Sequence, residues 1–284
     1  MIKRLVLYLS VVRFSHSVFA LPFALAGALL AAQHVAVTWH GLGWVLVAMV
    51  AARSAAMGFN RLVDARFDAL NPRTANRELP RGAMSATEAA LFVVVTATAF
   101  VYASWRLNPL CFALSPVALA IVFWYSLAKR FTTWTQLFLG LAMAVAPVGG
   151  WLAVGGRAGW EPWLLAMAIG TWVGGFDVLY ACQDVDFDRG HGLRSIPVRY
   201  GIPAALVIAR AMHVLTIGFL LALSLVTPLG RVYLAGVAVV GALLGYEQSL
   251  VQADDLSQVK RAFDMNGYVG ILYLVVLVVA IYGR

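Results

Sequence analysis

The sequence predicts an all-α membrane protein, with nine transmembrane helices arranged as two four-helix units plus one around a central cavity. Two observations lead to this fold class. Hydrophobic residues make up 62% of the 284 residues and charged residues only 12%, a composition that excludes an ordinary soluble domain. Two Asp pairs of identical spacing, Asp64 with Asp68 and Asp184 with Asp188, lie at the ends of long apolar runs.

The predicted spans are apolar runs of about 20 residues, the length that crosses a bilayer. They lie at 15–36, 43–62, 87–105, 109–127, 134–154, 162–182, 203–226, 232–249 and 266–282. We expect the whole chain, residues 1–284, to form a single integral membrane domain. Surface that the helices do not bury against one another is expected to face lipid.

The basic residues predict the orientation of these spans. Most of the 21 Lys and Arg residues flank the same set of span ends, including five Arg in the loop predicted after span 2. The positive-inside rule then places the N-terminus and both Asp motifs on the cytoplasmic side of the inner membrane. The net charge of +8 does not predict nucleic-acid binding, because the cations cluster beside the Asp motifs. An anionic ligand or lipid headgroups are the expected partners.

The two Asp motifs form a short internal repeat. Both end in Asp-x-x-Phe-Asp, and both are followed by an Arg-rich stretch containing Pro and Gly, at 73–82 and 189–201. Asp184 follows Asp64 by 120 residues, which places span 2 and span 6 in corresponding positions of two four-helix units. The repeat predicts one central site between the halves, although a motif this short also arises by chance.

The Asp pairs predict a Mg²⁺ site. The i, i+4 spacing places each pair on one helical face, and a carboxylate beside hydrocarbon is costly unless a cation neutralises it. Mg²⁺ is commonly bound through one or two carboxylates and takes substrate phosphate oxygens in its remaining positions. The alternative is that these carboxylates are solvated helix ends, although topology signals are Lys and Arg rather than Asp.

Basic residues near the motifs are suited to bind a diphosphate, Arg as a bidentate fork and Lys as a point charge. The candidates are Arg73, Arg77, Lys129, Arg130, Arg189 and Arg194. For Arg66, Arg81, Arg199, Lys260 and Arg261 a role in topology alone is the preferred interpretation.

Three further residues are predicted from their position within spans. Arg53 and Asn60 share a face with Asp64, and Asp177 precedes Asp184 by the same seven residues that separate Arg53 from Asn60. An arginine at this depth needs a partner, which favours a substrate carboxylate or the Asp cluster over snorkelling. Asp177 could orient Arg53, reach a substrate or make a structural hydrogen bond.

Two tyrosines complete the candidate set. Tyr125 precedes Lys129 by one helical turn at the end of span 4, and Tyr180 precedes Asp184 by one turn. Their rings could stabilise a substrate cation, although Tyr also commonly anchors spans at the membrane interface. The five His and two Cys residues show no metal-ligand spacing.

At these residues the chain resembles the UbiA superfamily of membrane prenyltransferases. The resemblance covers about residues 10–275. It rests on Asn60-x-x-x-Asp64-x-x-x-Asp68, RTANRELPRG (73–82), Tyr125-x-x-x-Lys129-Arg130 with Gln136 and Gly140, and Tyr180-Ala181 before Asp184-x-x-x-Asp188. The chain departs from the family pattern at Arg61, where many members have Asp, and this puts in doubt a contribution from that position.

The resemblance implies an enzyme that transfers a polyprenyl group from its diphosphate to an aromatic ring. It implies Mg²⁺ bound by Asp64, Asp68, Asp184 and Asp188, with Lys129 catalytic and Asn60, Arg77 and Arg130 assisting at the diphosphate. Arg53 is the candidate for the acceptor carboxylate, and Tyr125, Asp177 and Tyr180 are further substrate-binding candidates. The isoprenoid tail is expected in an apolar tunnel that opens to lipid.

The resemblance leaves the acceptor open. It favours 4-hydroxybenzoate, in ubiquinone synthesis, and keeps 1,4-dihydroxy-6-naphthoate, in menaquinone synthesis, as an alternative. Outside this family, a cation transporter would use Asp pairs at repeat-related helix ends, but adjacent Arg and Lys would repel cations. A phosphotransferase of the CDP-alcohol type is a third possibility, although no Asp-Gly follows within the first Asp pair.

Overall fold

The computed structural model describes residues 7–8, 10–11 and 20–283, and all regular elements within this part of the chain are helices. Three-residue 3-10 turns follow α4 and α6, at Ala128–Arg130 and Cys182–Asp184. In chain order the α-helices are α1 (Leu21–Ala31), α2 (Trp39–Leu70), α3 (Ala86–Leu107), α4 (Pro109–Leu127), α5 (Thr135–Ala153), α6 (Glu161–Ala181), α7 (Val185–Gly190), α8 (Ile196–Tyr200), α9 (Ile202–Val226), α10 (Gly230–Ser249) and α11 (Val259–Tyr282).

The all-α membrane fold is confirmed, with eight helices in the described residues that are long and apolar enough to cross a membrane. They correspond to predicted spans 2 to 9. The first predicted span, 15–36, contains α1, an apolar helix of 11 residues, and its residues 15–19 lie outside the described residues. The ninth span therefore stays a prediction.

Helix α2 is longer than predicted. The expected span was 43–62, but the helix runs from Trp39 to Leu70, so Arg61 and Arg66 lie on the helix rather than in the following loop. Its final polar turns are stabilised by the protein, since Arg61 and Asp68 are both buried. Pro72 follows the C-cap Asn71, and a proline disfavours helical geometry in the preceding residue.

Local sequence signals explain how two of the following helices begin. Ser85 and Glu88 form a capping box at the start of α3, in which each side chain accepts a hydrogen bond from the other residue's backbone N–H. The Asn108 side chain accepts from the backbone N–H of Cys111 at the start of α4, where Pro109 is the first residue. These contacts satisfy backbone donors that have no partner within the helix.

The long helices surround a central space. Helix α5 packs against α1, α4 and α6, and α6 packs in turn against α9. Helix α11 packs against α10, α6 and α1, which closes the ring between the two ends of the chain. The approach of α5 to α6 depends on Gly140, because a Cβ atom there would clash with the backbone carbonyl of Gly170. The largest buried cluster, which includes Phe23, Trp172, Tyr233 and Tyr273, lies among α1, α6, α10 and α11.

Candidate active site

A polar cavity of about 280 Å³ lies where α2, α4 and α6 end, with the loop 71–85 on one side. Helices α5 and α11 also contribute side chains to its wall. The structure brings thirteen of the fifteen candidate residues to this one cavity, from both halves of the chain. They are Arg53, Asn60, Asp64, Asp68, Arg73, Arg77, Tyr125, Lys129, Arg130, Asp177, Tyr180, Asp184 and Asp188.

The first Asp pair lies one turn apart on α2. Asp64 Oδ2 accepts a hydrogen bond of 2.9 Å from Asn60 Nδ2, and Asp64 Oδ1 accepts one of 3.0 Å from Arg130 Nη2. Arg77 Nη1 lies 2.7 and 2.8 Å from the two carboxylate oxygens of Asp68. Both carboxylates thus face the cavity as predicted, and each has its own basic partner.

The second Asp pair has a different backbone from the first. Helix α6 ends at Ala181, Asp184 lies in the 3-10 turn and Asp188 lies in α7. The 3-10 turn ends at Asp184, and Asp188 follows it one turn later within α7. Both carboxylates still line the cavity.

The basic partners of the second pair come from the first half of the chain. Arg73 binds both oxygens of Asp184, with Nε 3.0 Å from Oδ1 and Nη2 2.7 Å from Oδ2. Lys129 Nζ lies 3.6 Å from Asp188 Oδ2, and that buried oxygen has no hydrogen-bond partner among the described residues. The four carboxylates of the two Asp motifs are therefore matched one to one by four cations, with the second pair neutralised across the halves. Asp177 and Arg53 add one more acid and one more cation to the cavity wall.

Asn71 is a site residue that the sequence analysis missed. Its Nδ2 donates to Asp184 Oδ1 over 3.4 Å, and its Oδ1 accepts from the backbone N–H of Arg73 over 2.9 Å. The side chain thereby joins the end of α2 to the second motif. Its position before Pro72 was the available signal, since Asn at a helix end often bonds its own backbone two residues on.

Three residues next to the motifs lie outside this cavity. Arg189 and Arg194, both diphosphate candidates, are exposed, and Arg194 Nη1 donates to the backbone oxygen of Phe131. Arg189 lies in α7 and Arg194 follows this helix, and neither lines the cavity, so a role for them at the diphosphate stays a prediction. Arg61 is buried outside the cavity, so the departure from the family pattern leaves the cavity wall unchanged.

Arg53 lies at the junction of the polar cavity with a larger apolar one of about 650 Å³. Its Nε is buried without a hydrogen-bond partner among the described residues. The structure shows no hydrogen bond or ion pair between the side chains of Arg53 and Asp177, both of which are described. The suggestion that Asp177 orients Arg53 through such a contact is therefore not supported.

The apolar cavity runs between α1, α2, α4 and α5 and reaches α6. Its wall is mostly Ala, Val, Leu and Gly, and it includes residues of α4 and α5 whose side chains are exposed on the outer surface, such as Val117 and Leu141. The residues shared by both cavities are Arg53, Met57, Tyr125, Leu139 and Met143. The two cavities therefore adjoin.

Tyr180 lies against the basic side of the polar cavity. Its hydroxyl accepts a hydrogen bond of 3.0 Å from Arg73 Nη1, and its ring packs on Phe263 of α11 with 4.5 Å between centroids. The ring also lies 5.3 Å from the Arg73 guanidinium carbon. Tyr180 therefore lies at the cavity, held by both a hydrogen bond and a ring contact.

The fit to Mg²⁺ depends on the donor set. Among the described residues no three His, Cys, Asp or Glu side chains form a cluster that could hold a metal ion by themselves. Two facing carboxylate pairs nevertheless suit Mg²⁺, which needs one or two carboxylates and completes its shell with water and phosphate oxygens. The unpartnered Asp188 Oδ2 is a donor atom of the required kind.

Comparison with known proteins identifies the family. The model of the UbiA prenyltransferase family matches residues 20–276. This chain belongs to the UbiA prenyltransferase family. It is therefore an integral membrane enzyme of prenyl transfer, as the motifs predicted.

Within the family, a 4-hydroxybenzoate octaprenyltransferase of Vibrio vulnificus is 31% identical over 242 residues, 85% of either chain. A protein of the same name from Salmonella paratyphi C is 33% identical over 237 residues, 81% of this chain and 80% of the relative.

Solved structures of UbiA homologues show the same fold. The apo structure of a homologue from Aeropyrum pernix has a TM-score of 0.85 at 34% identity, covering 93% of this chain and 97% of the homologue. A homologue from Archaeoglobus fulgidus, bound to GPP and Mg²⁺, has a TM-score of 0.74 at 19% identity and covers 97% of this chain and 99% of its own. The second likeness concerns the fold alone.

Proposed function

We propose that this UbiA-family enzyme transfers a polyprenyl group from polyprenyl diphosphate to 4-hydroxybenzoate, with Mg²⁺. The observation that carries the proposal is the junction of the two cavities. The four motif carboxylates and their four basic partners line the polar cavity, which suits a metal-bound diphosphate, and the adjoining apolar cavity suits a hydrocarbon tail. The names of the Vibrio and Salmonella relatives support the choice of acceptor.

Asp64, Asp68, Asp184 and Asp188 are the residues proposed to hold Mg²⁺. When bound, the metal supplies Lewis-acid stabilisation of the leaving diphosphate. The GPP and Mg²⁺ in the Archaeoglobus homologue support this assignment. Asn60 holds Asp64 in place through its 2.9 Å hydrogen bond, which fixes one carboxylate oxygen and leaves the other beside Arg130.

The four basic side chains are proposed to bind the diphosphate. Arg73, Arg77 and Arg130 are hydrogen-bonded to carboxylates now, and phosphate oxygens offer the same charge and geometry. With metal and substrate bound, the four motif carboxylates would hold the cation, and the Arg and Lys side chains would bind phosphate oxygens in place of the carboxylates. Lys129, whose ammonium lies 3.6 Å from Asp188, has the weakest contact to break.

Arg53 is proposed to bind the acceptor carboxylate. Its buried, unpartnered Nε lies where the reactive end of the prenyl chain would pass from the polar to the apolar cavity. The C–O bond to the diphosphate breaks, the ring carbon ortho to the hydroxyl bonds to the prenyl carbon, and that ring carbon loses its proton. Tyr125 and Tyr180 are proposed to face the allylic cation, and Asp177 lies within reach of the same space.

The acceptor 1,4-dihydroxy-6-naphthoate stays an alternative, because it also carries a carboxylate and a phenolic hydroxyl. Arg53 would bind either acid. The transporter and phosphotransferase hypotheses are set aside by membership of the UbiA family. The cavity agrees, since four cations among the carboxylates would oppose a path for metal cations.

The proposal includes location and organisation. Basic residues at the cavity end of the helices support a cytoplasmic N-terminus and cytoplasmic site loops in the inner membrane. Because α2, α4 and α6 from both halves line one cavity, we propose that residues 1–284 act as a single domain. The tail is proposed to meet membrane lipid where exposed side chains of α4 and α5 line the apolar cavity.

The deciding experiment is transfer from a radiolabelled polyprenyl diphosphate in purified membranes, with and without Mg²⁺. The two acids are offered separately. Labelled product from 4-hydroxybenzoate that requires Mg²⁺ supports the proposal. Labelled product from the naphthoate alone would instead assign the enzyme to menaquinone synthesis. If neither acid is prenylated while other family enzymes are active under the same conditions, the acceptor assignment is wrong.

A further inference from the structure

A second polar contact lies behind the cavity wall and joins three chain segments. Arg61 of α2 has its Nε 3.7 Å from Glu78 Oε2, and Ser10 Oγ donates to Glu78 Oε1 over 2.6 Å. We call Ser10, Arg61 and Glu78 the clasp. None of the three lines the polar cavity, and the proposed chemistry uses none of them.

The ion pair of the clasp, between Arg61 and Glu78, is largely buried. Arg61 is 2% exposed and Glu78 8% exposed. Burial opposes ionisation of Glu78, but the Ser10 hydrogen bond and the nearby Arg61 charge outweigh it and hold the pKa of this carboxyl below its usual value. Breaking such a pair leaves a buried charge without compensation, so the contact constrains the segments that carry it.

Glu78 belongs to the loop that carries two of the four site cations. It directly follows Arg77, and its backbone oxygen accepts hydrogen bonds from the backbone N–H groups of Ala83 and Met84, at 2.9 and 3.1 Å. At the other end of the loop, Thr74 Oγ1 donates to the backbone oxygen of Asp68. The loop is thus fixed to α2 at Asp68 and again at Arg61.

Apolar side chains pack beside the clasp. Val11 and Met84 are buried together with Ala89 of α3, and the Tyr8 ring stacks on Phe92 of α3 with 5.4 Å between centroids. The described residues 7–8 and 10–11 therefore lie over the loop and α3. This packing keeps Ser10 beside Glu78.

We propose that Arg61 and Glu78 are positioning residues, which hold the loop 71–85 so that Arg73 and Arg77 stand at the diphosphate. The inference rests on the proposed function. Because Arg77 is the neighbour of Glu78 in sequence, release of Glu78 frees the backbone that supports Arg77. The expected consequence is weaker diphosphate binding without direct loss of any group that touches the substrate.

The test uses the full chain in detergent and inorganic pyrophosphate with MgCl₂ as the probe, measured by calorimetry. Arg61→Met and Glu78→Gln are each expected to weaken pyrophosphate binding about tenfold, since displaced positioning groups cost up to about a hundredfold. The double variant should be no weaker than the worse single variant, because both changes break one contact. Arg66→Met, exposed on the same helix, is the matched control and should bind as the wild type does.

Two further readouts separate positioning from general destabilisation. Trypsin should cut after Arg73, Arg77 and Arg81 faster in the clasp variants than in the control, while the KM for 4-hydroxybenzoate changes less than about twofold. Arg61→Lys, which keeps the charge, should recover most of the affinity. If Arg61→Met is too unstable to purify, Glu78→Gln carries the test because it keeps a partner for Ser10.

The outcomes are distinct. Wild-type affinity for pyrophosphate in Glu78→Gln and in Arg61→Met, with unchanged cleavage of the loop, would overturn the positioning role and leave the proposed function intact. Wild-type protein that binds no pyrophosphate with MgCl₂ would overturn the proposed function and this inference together.

Discussion

Arg73 binds both carboxylate oxygens of Asp184, at 3.0 and 2.7 Å, although the two residues are 111 positions apart in sequence. This bidentate pair joins the loop after α2 to the turn after α6. The same guanidinium donates to the Tyr180 hydroxyl. One side chain of the first half therefore orients both an acid and an aromatic ring of the second.

Replacement of Arg73 should weaken binding of the diphosphate. Arg73→Ala removes a bidentate donor, and hydrogen bonds to charged groups contribute about 1.5–3 kcal/mol, or about 10–100-fold in affinity. Calorimetry with pyrophosphate and MgCl₂ measures the loss. Arg189→Ala is the control, because Arg189 is exposed and lies outside the cavity. Equal losses in the two variants would indicate a long-range charge effect instead of a contact.

Asp64→Asn and Asp184→Asn should each reduce turnover by about a hundredfold or more, because even outer-shell partners of a bound metal contribute 10–100-fold. The Mg²⁺ concentration for half-maximal activity should rise in parallel. Asp186→Asn is the control, since Asp186 lies between the two acids of the second motif but is exposed. Near-normal activity in either site variant, with the wild-type Mg²⁺ dependence, would refute the metal assignment.

Arg53→Met should raise the KM for the aromatic acid by about 10–100-fold, from the loss of a charged hydrogen bond. The KM for polyprenyl diphosphate should stay within about twofold, because Arg53 is not among the basic side chains proposed to bind the diphosphate. The amide of 4-hydroxybenzoate is a matched probe: the wild type should prefer the acid, and the variant should lose this preference. An unchanged preference would remove Arg53 from acceptor binding.

A large side chain in the apolar cavity should limit the enzyme to prenyl diphosphates with shorter chains. Ala52 lines this cavity next to Arg53, and Ala52→Phe is expected to reduce turnover of long polyprenyl diphosphates by about tenfold while a ten-carbon donor is used as before. Ala99→Phe, on the exposed face of α3, adds the same ring outside the cavity. An equal effect on short and long donors would mean that the tail lies elsewhere.

The sequence predicted the helical fold and most of the side chains that line the polar cavity, because both depend on local patterns. Apolar runs place α3 to α6 and α9 to α11 within a few residues, except that α11 begins at Val259 and not at 266. The spacing of Asp64 and Asp68 on one continuous helix was sufficient to direct both carboxylates to the cavity. Tyr125 and Lys129 were predicted to lie near each other because they are one helical turn apart in sequence, and both line the cavity.

The failures concern contacts between distant segments. Nothing in the sequence around Arg194 indicates that its guanidinium binds the Phe131 carbonyl, and Asn71 reaches Asp184 only because the two halves meet. The assignment of basic partners to acids was likewise not predictable, since Arg61 pairs with Glu78 outside the cavity and Arg73 with Asp184 inside it. Pairing of this kind is set by tertiary packing rather than by helical periodicity.

The cross-half neutralisation of the cavity has a consequence for synthesis. The four basic partners of the Asp motifs, Arg73, Arg77, Lys129 and Arg130, all precede α5 in the chain, together with only two of the four motif acids. As the polypeptide emerges in order from its N-terminus, the basic partners of the second motif are made before its acids. Arg73 and Lys129 can meet Asp184 and Asp188 only after α6 has been synthesised.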